Sequence, residues 1–158
     1  MTSLATMEDE EKRRRVIKLA FGECHEVFED FCRAIQEAVP EAQAAVLRGS
    51  VITGVRWRDG TPFDADGPGT SDLDVTLVGD DVLRHFQAYW ISGLHSKPLT
   101  GDDPDIAPTL VPLRDKLVGM VGRPVNIQGT RDWFQHFRGD VLGQPYLRLF
   151  GTLPESET

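Results

Sequence analysis

Two short stretches of this chain, AVLRGS (residues 45–50) and SDLDVTLVG (residues 71–79), decide how it folds. Each is an apolar run of the length of a buried strand. Each also carries residues that do not help a core, because a Gly-Ser pair closes the first run and two aspartates, Asp72 and Asp74, open the second. The sequence therefore predicts two buried strands whose polar ends belong to a functional site.

The composition predicts one globular domain over residues 1–158, with loose ends at 1–7 and 154–158. Forty per cent of the 158 residues are hydrophobic and 27% are charged, which suits a single core. The net charge of −8 excludes nucleic-acid binding by bulk attraction. No apolar stretch of membrane-spanning length and no signal peptide are visible, so we expect a cytoplasmic protein without a membrane partner. Cys24 and Cys32 fit no zinc motif, and we expect them to be reduced, buried thiols.

The hydrophobic periodicity predicts helices and strands that alternate along the chain. Apolar residues at spacings of three and four predict a helix over 8–39, which Gly22 can divide in two and Pro40 ends. The other predicted elements are a strand at 44–49, a hairpin at 55–63, a strand at 71–79, a helix at 80–94, a loop at 95–108, a helix at 109–121, a strand at 123–129, a helix at 130–142 capped by Thr130, and a closing segment at 144–151. This order predicts the α/β (α+β) class, with a small mixed sheet and flanking helices.

The aspartate pair predicts a metal site. Residues two apart in a strand share a face, with Cβ atoms about 6.5–7 Å apart, so Asp72 and Asp74 place two carboxylates side by side. A hard divalent cation such as Mg²⁺ or Mn²⁺ cancels their repulsion and takes substrate phosphates as further ligands. A solvated strand end is the alternative. A calcium loop starting at Asp64 is excluded, because its fifth and twelfth positions are Pro68 and Val75.

The Gly-Ser pair predicts a turn that receives phosphate. Gly49 has no Cβ, so a ligand can approach its backbone, and Ser50 adds a small hydroxyl donor. Free amides where a strand turns into a helix form a phosphate cradle. Three arginines supply cations nearby: Arg48, Arg56 and Arg58. A plain tight turn is the alternative interpretation.

The order of these motifs resembles the signature of the nucleotidyltransferase superfamily, which includes DNA polymerase β, minimal nucleotidyltransferases and aminoglycoside nucleotidyltransferases. The similar part covers residues 44–79. The resemblance implies a small mixed sheet with flanking helices. It also implies that Gly49 and Ser50 hold the phosphates of a nucleoside triphosphate and that Asp72 and Asp74 hold two Mg²⁺ ions. Ser71, which opens the second stretch, is a further candidate for nucleotide contact.

The chain departs from the superfamily pattern in two ways. The distance from Ser50 to Asp72 is 22 residues, longer than is usual there, and the added acidic loop is expected to form a lip over the pocket. The resemblance also calls for a third carboxylate on a later neighbouring strand, where this chain offers Asn126, which cannot act as a base. Four other acids are candidates to replace it: Asp64, Asp66, Asp115 and Asp132.

The resemblance implies a transferase that moves a nucleoside monophosphate to an acceptor hydroxyl and releases pyrophosphate. The acceptor is a protein, an RNA or a small molecule. The alternative is a catalytically impaired module that binds a nucleotide or a partner protein, since Asn126 stands at the third position. The wording RGS-x-x-TG…PF…SDLD also resembles a subgroup found in bacterial toxin-type proteins, so the module could belong to such a system. The N-terminal helix either covers the sheet or forms a homodimer. Trp57 is expected on the hairpin, and Trp90 is expected in the core through its helical register with Phe86.

Overall fold

The chain begins with two helices that meet at a sharp break. The computed structural model describes residues 2–55, 60–91, 94–131 and 146–152. Helix α1 spans Thr2–Ala20 and helix α2 spans His25–Ala38. Gly22 and Glu23 between them have φ angles of 61° and 59°, a conformation that ends an α-helix. The predicted division at Gly22 is confirmed, and the segment expected to be loose is helical from Thr2 onward.

A six-stranded mixed sheet forms the centre of the fold, which confirms the predicted α+β class. The strands are β1 (Ala44–Arg48), β2 (Leu73–Val78), β3 (Tyr89–Ile91), β4 (His95–Ser96), β5 (Val125–Thr130) and β6 (Tyr146–Gly151). Their order across the sheet is β3-β4-β5-β2-β1-β6. Strand β2 pairs antiparallel with β1 and parallel with β5. The two strands that carry the motifs are therefore direct neighbours.

One face of the sheet holds the hydrophobic core. Alternate residues of β2 point into it, among them Leu73 and Leu77, together with Phe31 of α2. Helix α4 (Val111–Val121) adds Leu117 to the same cluster. Helix α1 contributes Val16, Ile17 and Ala20, so this part of its apolar stripe covers the core, and a homodimer through α1 stays a prediction. The opposite face carries the polar residues of β2 and β5, because side chains alternate along a strand.

The long connection between the two motifs is organised by an ion pair. After helix α3 (Ser50–Thr53) and an isolated bridge from Val55 to Pro62, Asp64 accepts hydrogen bonds from the backbone amides of Gly69 and Ser71 at 3.3 and 2.9 Å. Its carboxylate also accepts two bonds from Arg123, at 2.7 and 3.1 Å.

Arg123 anchors this connection to the rest of the domain. Its guanidinium donates to the carbonyls of Ser71 and Leu19 and lies 4.6 Å from the ring centroid of Phe63. The side-chain hydrogen bond from Arg123 lowers the pKa of Asp64 to about 2. The ionised form of Asp64 therefore stabilises the loop.

The segment 80–108 differs from its prediction. The expected helix over 80–94 is wrong, since a 3₁₀ turn over Val82–His85 is followed by the edge strand β3. The expected loop over 95–108 likewise contains β4 and two further 3₁₀ turns. Trp90 is 62% exposed rather than part of the core. Thr130 is the last residue of strand β5, and most of the helix that it is predicted to cap lies outside the described residues.

Several predictions concern residues outside the described stretches. They are the hairpin tip with Arg56, Trp57 and Arg58, the acid Asp132, most of the helix at 130–142 and the loose end at 154–158. Cys24 and Cys32 are both free and half-buried, and burial raises the pKa of the Cys32 thiol to about 12. Among the described helices, none combines the length and the apolarity needed to cross a bilayer.

Candidate functional site

Three strands each have one terminus at the same edge of the sheet, and this arrangement brings the sequence motifs together there. Strand β1 finishes at Arg48, and the parallel strands β2 and β5 begin at this edge. The register places Arg48 opposite Asp74, and Asp74 opposite Asn126. The predicted neighbour relation between the aspartates and Asn126 is therefore present in the fold.

The backbone of Gly49 lies directly against the Asp74 carboxylate. Gly49 has φ 100° and ψ −167°, a combination that only glycine adopts without strain. A Cβ atom at this position would stand 3.0 Å from Asp74 Oδ2. The sequence needs glycine here both for the turn from β1 into α3 and for the close approach of the carboxylate.

The amide of Asn126 joins the two carboxylates from the other side. Its Nδ2 donates to Asp72 Oδ2 at 2.7 Å and to Asp74 Oδ1 at 3.2 Å. Asp74 thus presents one oxygen to β5 and the other to the Gly49 turn. Asp72 is exposed and Asp74 is half-buried, so the pair opens toward solvent at the sheet edge.

The surroundings of Asp74 in the fold disfavour its ionised form. Burial, and then the charge of Asp72, raise the pKa of Asp74, although Arg48 and the Asn126 hydrogen bond act in the opposite direction. Two carboxylates that destabilise each other in the folded protein form an electrostatic environment that favours a cation.

Arg48 crosses beneath the carboxylates toward β5. Its Nε donates to Thr76 Oγ1 at 3.0 Å, and its NH2 group donates to Gln128 Oε1 at 3.2 Å. Gln128 in turn donates to the carbonyl of Ser96 at 2.8 Å. This row of hydrogen bonds forms a polar floor under the site. Sequence reasoning missed Gln128, although its place two residues after Asn126 in a strand puts both on one face.

The remaining candidate residues lie in different settings. Ser50 begins helix α3 at the turn. Ser71 is buried, and its hydroxyl accepts a hydrogen bond from the Asp64 amide at 2.8 Å, so it holds the loop closed. Asp64 is engaged by Arg123. Asp66 and Asp115 are exposed.

The described carboxylates at the sheet edge are those of Asp72 and Asp74, without a larger metal cluster around them. Within residues 2–55, 60–91, 94–131 and 146–152, no group of three or more His, Cys, Asp and Glu side chains is placed to hold a metal ion. The donor set at the sheet edge is therefore two carboxylates and one amide. A divalent cation there would need further oxygen ligands from a bound substrate or from water.

A surface cavity of about 610 Å³ lies elsewhere, beside α1. Its lining includes Arg14, Arg15, Lys18 and Gly54 but neither Asp72 nor Asp74. Arg15 also donates to the carbonyl of Ile52 in α3 at 2.9 Å. The chemistry of the sheet edge, rather than the size of this cavity, defines the candidate site.

Comparisons of the chain with protein-family models, with curated proteins and with solved structures gave no match. The site is therefore interpreted from its own geometry.

Proposed function

We propose that this chain is a metal-dependent nucleotidyltransferase, which moves the nucleoside monophosphate of a nucleoside triphosphate to an acceptor hydroxyl with release of pyrophosphate. The observation that supports it best is the contact between the Gly49 backbone and Asp74 at the edge where Asp72 also lies. A turn suited to phosphate then stands next to a carboxylate pair suited to a divalent cation. The sequence resemblance supports the same assignment.

The residues present fit a hard divalent cation such as Mg²⁺ or Mn²⁺. Asp72 and Asp74 supply adjacent carboxylate oxygens, and burial, followed by the charge of Asp72, raises the pKa of Asp74. A bound cation would favour the ionised form of this carboxyl. Such a cation, when bound, would neutralise charge on the phosphate oxygens during transfer. Asp72 and Asp74 are the residues that would hold it.

The turn after β1 would receive the phosphates. The first amides of a helix have no intrahelical acceptor, and α3 begins at Ser50, directly beside Gly49. These groups would hold the β- and γ-phosphates and so position the leaving pyrophosphate. A new bond forms between the acceptor oxygen and the α-phosphorus, and the bond from that phosphorus to the β-phosphate breaks. Asn126 cannot take the hydroxyl proton, which must pass to a carboxylate or to solvent.

The test is pyrophosphate release from each of the four nucleoside triphosphates, with Mg²⁺ or with a chelator, in the presence of candidate protein, RNA and small-molecule acceptors. We expect metal-dependent release that falls at least a hundredfold in Asp74→Asn. Asp105→Asn removes an exposed carboxylate from another part of the surface and should not alter the rate. Activity of Asp74→Asn within tenfold of the parent would exclude this role.

A second candidate function is nucleotide binding without transfer, or binding of a partner protein. The observation that favours it is the amide of Asn126 in register with Asp74, where the resemblance calls for a third carboxylate. Calorimetry with ATP or GTP and Mg²⁺ separates the two functions. Binding with no pyrophosphate release supports the module, whereas binding with release supports the transferase.

A further inference from the structure

We infer that Asn126 closes the β5 side of the carboxylate pair to a second divalent cation, so that the site takes one metal ion with its nucleotide. The resemblance implies two ions, and the residues present fit only one of them. The inference rests on the proposed nucleotide and metal site, and it holds for either candidate function. It assigns the metal to the side of Asp74 that faces the Gly49 turn.

The two sides of Asp74 differ in the groups that they face. On the β5 side, Oδ1 accepts a hydrogen bond from Asn126, and the same amide nitrogen occupies Asp72 Oδ2. On the β1 side, Oδ2 faces the backbone of Gly49, where no Cβ intervenes. A cation that uses Oδ2 leaves both bonds to Asn126 intact.

A cation on the β5 side meets a different set of atoms. In the present orientation of the amide, it would face the positively polarised N–H₂ group of Asn126. If the amide rotated instead, both carboxylates would lose the hydrogen bond from Asn126. After rotation the amide supplies a neutral oxygen and no charge. Mg²⁺ requires near-ideal octahedral geometry and gives up water reluctantly, so a neutral ligand is a poor replacement for an acid.

The other described acids cannot supply the missing charge. One of the candidate acids, Asp64, is held by two bonds from the buried Arg123. Across the described part of the chain, no third acidic, histidine or cysteine side chain joins Asp72 and Asp74 in a metal-binding group. Among the described residues, the charge available for cations is therefore that of Asp72, Asp74 and the bound triphosphate.

The test counts bound Mn²⁺ per chain by equilibrium dialysis with a saturating nonhydrolysable ATP analogue, and measures the Mn²⁺ paramagnetic resonance spectrum of each complex. We expect one Mn²⁺ in the parent and two in Asn126→Asp, with spin–spin broadening in the variant alone. Gln128→Glu is the matched control, because it adds the same charge two residues along the same face, where Arg48 neutralises it. We expect that variant to keep one Mn²⁺, and thermal unfolding in the same buffer verifies that each variant is folded.

Each outcome bears on a different part of the reasoning. Two Mn²⁺ of similar affinity in the parent, or one in a folded Asn126→Asp variant, would overturn the inference and leave the proposed nucleotide site intact. A second ion in Gln128→Glu would also overturn it, because added charge anywhere on this face would then suffice. A parent that binds neither Mn²⁺ nor the analogue would refute the proposed function itself.

Discussion

The repulsion between the two carboxylates leads to a prediction that links stability to function. Asp72 Oδ2 and Asp74 Oδ1 both accept from the same nitrogen, at 2.7 and 3.2 Å, so these oxygens lie at most about 6 Å apart. Two unit charges at that distance repel by about 0.7 kcal/mol at an effective dielectric constant of 80 and by about 2.8 kcal/mol at 20. Asp74→Asn removes one charge, and its carboxamide oxygen can still accept from Asn126.

We therefore expect Asp74→Asn to be more stable than the parent when no metal is present. The expected gain in unfolding free energy is about 1–3 kcal/mol, which raises the melting temperature by about 2–4 °C for each kcal/mol in a domain of this size. The raised pKa of Asp74 supports the sign, because burial and Asp72 together outweigh the attraction of Arg48. The difference should narrow as the pH falls, since Asp74 takes up a proton in the folded parent before it does so in the unfolded chain.

The assay is thermal unfolding followed by circular dichroism at pH 7.5, first with EDTA and then with Mg²⁺ and ATP. Ligand at one hundred times its dissociation constant should stabilise the parent by about 2.7 kcal/mol and should stabilise Asp74→Asn much less. Asp105→Asn should follow the parent under both conditions. A folded Asp74→Asn protein that is less stable than the parent in EDTA, or that gains as much from Mg²⁺ and ATP, would refute the reasoning.

Three other substitutions test the loop, the turn and the core. Asp64→Asn should lower stability by about 3–5 kcal/mol at pH 7, since the charge of the buried Arg123 then loses its carboxylate partner. In the parent, the depressed pKa of Asp64 stabilises the fold by about 2 kcal/mol above pH 4. That contribution is lost as the pH falls toward 2. The unfolding free energy of the variant, measured with urea, should therefore fall less steeply with decreasing pH in this acidic range than that of the parent. Gly49→Ala should cost about 1–3 kcal/mol of backbone strain, and calorimetry should show at least tenfold weaker nucleotide binding. Gly129→Ala places a Cβ 2.7 Å from the Phe86 ring, and it should cost about 1–3 kcal/mol while nucleotide affinity below the melting temperature stays within twofold.

The least accurate part of the prediction from sequence was the segment after β2. Its apolar residues at 82, 83 and 86 have helical spacing. In the structure they lie in a short 3₁₀ turn and at its C-terminal end, and their side chains are buried in the core. The next residues, Tyr89–Ile91, then form an edge strand, for which aromatic and β-branched side chains have high propensity. Helical spacing over a few residues does not distinguish a helix from a turn, because both bury the same positions.

The sequence by itself determined which residues share a strand and a face. Alternation along the second stretch places Asp72 and Asp74 together, and glycine at position 49 predicts a turn after the first stretch because it has no Cβ. Only the tertiary structure decided that Asn126 stands in register with Asp74 and that Arg123 engages Asp64. The physical reason is distance along the chain. Strand pairing and ion pairs between remote residues depend on how the whole core packs, whereas alternation and turn geometry depend on neighbouring residues alone.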